Sequence, residues 1–181
     1  MQSVAGPSRT SVTTVDYPRH WFVIGTISLA LLMVVDIYLE ATAKEDFSRG
    51  LWILLLVVLA AFLFLFFIPP VFTKHLLGAK GIRIRMGLLI NVSVPYSWIR
   101  EVKETTVRSG GLRIGIGVKY SPIMSTVFVT SSFMNLVSIK LDKEHEFGRI
   151  PIRRIDQIVL SVNDLNSFMK TVRQKAGLKE V

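Results

Sequence analysis

The side chains in this sequence with the most capacity for chemistry are cations. Lys74, Lys80, Arg83 and Arg85 fall within a dozen residues, and Lys74 with Arg83 and Arg85 has the spacing K-x8-R-x-R. Converging cations bind anionic phosphates, and each is worth on the order of 1 kcal/mol beside an anionic membrane surface. These four are the candidate anionic-lipid contacts. Asp36 is the second candidate, because it is the only charge in a long apolar run. A carboxylate there is costly in hydrocarbon, so it either carries a proton, contacts another subunit, or, a turn from Glu40, reaches the interface.

Other constellations do not assemble. His20, His75 and His145 are far apart, and Glu144-His145-Glu146 reads as a solvated acidic turn, so no metal site is expected. Gly110-Gly111 and Gly115-x-Gly117 lack the Lys and Ser/Thr of a phosphate-cradling loop. No nucleophile elbow, paired carboxylates or cofactor fingerprint stands out. With zero cysteines, disulfides and thiol chemistry are excluded. The expectation is a binding protein, not an enzyme, with no catalytic, cofactor-binding or metal-ligating residues and no cofactor.

The elements that must position the cations begin with two apolar runs. Trp21 to Leu39 spans 19 residues with Asp36 alone charged, and Leu51 to Ile68 spans 18 with none. At about 1.5 Å per residue each crosses nearly all of a hydrocarbon core about 30 Å thick. Tyr17, Trp21, Tyr38 and Trp52 fall near their ends, where aromatic rings favour the headgroup level. Gly25 and Ser28 are small residues through which the two helices can pack. Pro69-Pro70 predicts the end of the second helix.

The net charge of +9 is uneven: from Val71 onward there are 18 Lys and Arg against 8 Asp and Glu. Short basic flanks stay in the cytoplasm, which predicts a multi-pass cell-membrane protein with both termini inside and the loop 40–50 outside. Ala41-Thr42-Ala43 also has the small-x-small form of a cleavage site, though the preceding apolar run is longer than a signal core of about 7 to 15 residues. Cleavage would leave the C-terminal side where it is. Membrane lipids and other membrane subunits or a cytoplasmic protein are the expected partners. Nucleic acid is not, because anionic lipid already accounts for the basic excess.

After residue 79 the period changes to two. Leu88, Ile90, Val92 and Val94 alternate with polar or outward positions, as do Leu112, Ile114, Ile116, Val118 and Tyr120. Shorter runs at Ile82 to Arg85, Trp98 to Thr106, Thr126 to Thr130, Leu136 to Asp142 and Ile155 to Val162 bring the count to about seven strands. Met86-Gly87, Pro95, Ser109-Gly110-Gly111, Ser121-Pro122 and the polar stretch Lys143 to Gly148 predict the turns. Leu165, Phe168, Met169 and Val172 then follow i, i+3, i+4, i+7, with Asp164 or Asn163 as cap and Gly177 as stop, predicting a helix over 164–176.

Val94-Pro95-Tyr96-Ser97-Trp98-Ile99-Arg100-Glu101-Val102 and Ile158-Val159-Leu160-Ser161-Val162-Asn163-Asp164 resemble the bacterial PH-like domain family, here following a two-helix hairpin. Leu165 stands where that family commonly has proline. The resemblance covers residues 80–176 and implies a seven-stranded barrel or sandwich capped by the C-terminal helix, serving binding and scaffolding. K-x8-R-x-R is also similar to the basic signature of some phosphoinositide-binding PH domains. The expected organisation is a tail 1–20, transmembrane helices 21–39 and 51–70 flanking the loop 40–50, a junction 71–79, the PH-like domain 80–176 and a tail 177–181. The expected role is an accessory or assembly component of a larger membrane complex; the alternatives are a self-sufficient anionic-lipid surface module and, third, a transporter or enzyme using Asp36.

Overall fold

The computed structural model describes residues 12–42, 46–106, 116–147 and 154–179. The first apolar run forms α1 (His20–Thr42), and the second forms α2 (Asp46–Phe62), a π-helical turn (Leu63–Phe67) and α3 (Ile68–Phe72). Both runs, His20–Thr42 and Arg49–Phe72, are long and apolar enough to cross a membrane, and few of their apolar side chains are buried. Burial within the protein therefore does not account for their composition. The helix passes Pro69-Pro70 instead of stopping there. The prolines occupy the first turn of α3, where no amide donor is needed, and the π-turn widens the helix at the carbonyls their rings would otherwise meet. Gly25 lies so close to the Phe67 ring that a Cβ would collide with it, whereas Ser28 is exposed. Only one of the two small residues packs the hairpin.

The β unit contains nine strands among the described residues, in two sheets that do not close into a barrel. Order β1-β2-β3-β4 makes the first sheet, from β1 (Thr13–Val15), β2 (His75–Leu77), β3 (Gly81–Met86) and β4 (Ile90–Pro95). A single turn of 3-10 helix, Tyr96–Trp98, then carries the chain into the second sheet, ordered β5-β8-β9-β7-β6. Its strands are β5 (Ile99–Thr105), β6 (Gly117–Ser121), β7 (Thr126–Thr130), β8 (Leu136–His145) and β9 (Ile155–Ser161). The expected seven correspond to β3 through β9; β1 and β2 are additional, and they lie in the segments read as tail and junction. β7 and β9 run parallel, the rest of the ladder antiparallel. β8 continues to His145 through residues read as a turn. Leu112, Ile114, the Ser109-Gly110-Gly111 turn and Arg153 lie outside the described residues.

The helix α4 (Leu165–Ala176) starts where Asp164 accepts from the Ser167 amide and ends at Gly177 in the left-handed region, φ 68°. Its Phe168 and Val172 join inward residues of both sheets, including Ile84, Val94, Ile139, Ile158 and Leu160, in one buried cluster. Each such side chain contributes about 1.5–3 kcal/mol on leaving water. Arg173 reaches across to the Val102 carbonyl at 2.7 Å and fixes α4 against β5. A smaller cluster of Phe128, Leu136 and Val159 lies on the other face of the second sheet.

Candidate functional site

The segments that enter and leave the helical pair are hydrogen-bonded to each other. β1 ends five residues before α1, β2 begins three residues after α3, and they pair antiparallel with Val15 opposite His75. This makes one end of the first sheet, the near end, the place from which both helices depart. Tyr17 seals it. Its hydroxyl donates to the Pro70 carbonyl at 2.5 Å and meets Thr73 Oγ1 at 2.7 Å, while its ring packs 5.0 Å from the His75 imidazole. Thr73 Oγ1 also accepts from the Gly87 amide at 2.9 Å, which draws the β3–β4 turn under α3. Gly87 has φ +55°, and a Cβ there would sit 2.7 Å from Pro70 Cδ, so the position needs glycine twice over.

Burial governs the titration of this knot. Tyr17 is fully buried in the protein, so its ring is not free to face lipid headgroups, and desolvation raises its pKa. His75 is also fully buried, and desolvation lowers its pKa to about 4, while its Nδ1 accepts from the Arg85 amide at 3.2 Å. The imidazole is neutral at ordinary pH, and its Nε2 has no hydrogen-bond partner among the described residues.

The four candidate cations do not form one cluster. β2 leads away from the helices, turns at Gly78 to Lys80, and β3 returns, so Lys80 lies at the far end. Arg83 and Arg85 share the outer face of β3, about 7 Å apart along the strand, and Arg83 donates to Asn91 Oδ1 at 2.8 Å. Arg85 and Lys74 are the two at the near end. Lys74 Nζ lies 3.1 Å from Asp16 Oδ1, and Arg19 ion-pairs with the same carboxylate. These half-exposed pairs each contribute under about 1 kcal/mol, and one anion does not neutralise two cations. The near-end cationic set is thus Arg19, Lys74 and Arg85. Arg19 escaped the sequence reading because its nearness to Lys74 depends on β1–β2 pairing across the whole helical hairpin.

Asp36 is 3% exposed in α1, and neither carboxylate oxygen has a hydrogen-bond partner among the described residues. Its side chain is enclosed within the protein. At the opposite end, His145 stacks on Trp98 at 3.7 Å and 10° and hydrogen-bonds Asp142 at 2.7 Å. That bond holds the Asp142 carboxyl below its usual range. His145 is therefore a packed strand residue and not part of a solvated turn. No group of three metal-capable side chains occurs among the described residues.

Comparison with protein-family models, with curated proteins and with solved structures finds no match to this chain.

Proposed function

We propose that this chain is a membrane-anchored binding and scaffolding protein, an accessory or assembly component of a larger membrane complex. In this reading α1 and the α2–α3 run cross the cell membrane, both termini are cytoplasmic, and the β unit is a PH-like recognition surface held at the leaflet. The reading rests above all on the joint between helices and sheet: β1–β2 pairing together with the Tyr17 hydrogen bonds to Pro70 and Thr73. A flexible tether would let a binding domain sample many orientations, and ordering it would cost about 1–2 kcal/mol for each backbone residue fixed on docking. A joint already hydrogen-bonded from both sides removes that cost and presents one geometry to its partners. The cations Arg19, Lys74 and Arg85 at the same end suit a surface lying over anionic headgroups.

Purification of the full chain from native membranes in several mild detergents, followed by mass spectrometry, tests the proposal. A companion membrane or cytoplasmic protein recovered in constant ratio is expected. A solitary monomer in every detergent overturns the accessory role.

A further inference from the structure

Outside the two apolar helices, five large apolar side chains are exposed among the described residues: Val12, Leu88, Ile123, Phe133 and Met134. The topology sorts them by end. Val12 precedes β1, which runs toward the helices, and Ile123 lies in the β6–β7 turn beside the start of β9; both are at the far end. Leu88 follows Gly87, whose amide is bonded to Thr73, so it stands level with Phe72 at the foot of α3. Leu88 is 70% and Phe72 77% exposed.

Phe133 and Met134, the latter 75% exposed, belong to the loop between β7 and β8. Asn135 Nδ2 donates to the Asn163 carbonyl at 3.2 Å, and the Asn163 amide donates to the Asp16 carbonyl at 3.0 Å. Two hydrogen bonds thus connect this loop to the stem of α1, placing it at the near end. The loop has a defined shape. The Ser131 amide and hydroxyl meet Ser161 Oγ at 2.7 and 2.8 Å, the Met134 amide donates to Ser132 Oγ at 3.1 Å, and Asn135 adopts φ +53°. With the polar atoms turned inward, Phe133 and Met134 are left outward.

Single exposed apolar residues are ordinary on a protein surface. Leu88, Phe133 and Met134 instead share the end from which two apolar helices leave, and they are flanked there by Arg19, Lys74 and Arg85. We propose that Leu88 and the Phe133–Met134 loop, together with Phe72, form a foot that inserts into the boundary between headgroups and acyl chains. The occupant of this surface is the lipid leaflet, because the patch continues the apolar surface of the helices and adjoins cations at the depth where phosphates lie. The foot fixes the tilt of the β unit on the membrane, on two supports besides the helices. This inference rests on the reading that the helices cross a bilayer.

The chain has no cysteine, so one introduced thiol carries one dye. Leu88→Cys, Met134→Cys, Ile123→Cys and Val34→Cys, each an exposed side chain, are labelled with an environment-sensitive fluorophore in full-length protein. The proteins are reconstituted in bilayer discs of zwitterionic and anionic phospholipid. Dyes at 88 and 134 are expected to be quenched by a nitroxide high on the lipid chain and shielded from aqueous iodide, with the reverse at 123. If 88 and 134 behave as 123 does while 34 is quenched by lipid, the foot is refuted and the membrane span stands. If 34 is open to iodide, the span itself fails.

Discussion

His75 is an imidazole in a place that rejects its charge. Burial lowers its pKa to about 4 from an ordinary 6.5. Between those values the unfolded chain binds a proton that the folded chain refuses, so stability is complete above pH 6.5, falls as the pH drops, and stops falling on this account near pH 4. The window is worth about 3 kcal/mol. Asp142 titrates in a lower range, its carboxyl being held down by His145, so its loss on acidification is separable. His75→Asn keeps an acceptor for the Arg85 amide but cannot take up the proton. The thermal midpoint of the variant is therefore expected to vary much less between pH 6.5 and 4 than that of the parent. An unchanged slope would place the acid sensitivity elsewhere.

At the scale of elements, the β unit does not begin after the second helix. β1 supplies one edge of the first sheet and Tyr17 fills the near end of the core, and both precede α1. A fragment consisting of residues 71–181 lacks them, leaving the β2 edge open and the Thr73 and His75 faces exposed. Such a fragment is expected to unfold at a lower temperature than the β unit of the full chain, followed by near-UV circular dichroism. Adding a peptide of residues 12–19 in excess should recover part of the loss by mass action. Equal midpoints with and without the segment would show that β1 contributes nothing.

The same element explains where sequence reading stopped. The helical runs were legible because 19 and 18 nearly uninterrupted apolar residues have few other uses. Strands β3, β7 and β9 and the capped helix α4 were legible from local period and end signals. Thr13–Val15 and His75–Leu77 are three residues each, too short to display a period, and their pairing joins positions 60 to 64 residues apart. Lys143 to His145 are polar and still strand, because pairing of His145 with Ile155 and stacking on Trp98 override their propensity. The candidate cations were legible as residue types. Their separation into near-end and far-end groups was not, since it follows from the reversal of direction at Gly78 to Lys80.

For the whole molecule, strand pairing constrains topology more tightly than charge does. The excess of Lys and Arg after Val71 biases the C-terminal side toward the cytoplasm, but such a bias can be outvoted by other flanks. Pairing of Val15 with His75 allows no such compromise: the segments before α1 and after α3 must lie on one side of any membrane the helices cross. It also makes residues upstream of Ala41-Thr42-Ala43 part of the first sheet. Val12→Cys and Ile123→Cys should therefore resist an impermeant maleimide in intact cells and react together once the membrane is opened, while Ala41→Cys should react from outside without permeabilisation. Val12 and Ile123 found on opposite sides would contradict the β1–β2 pairing. Both found outside would preserve the pairing and reverse the orientation, because a sheet built from both flanks can only be inverted as one piece.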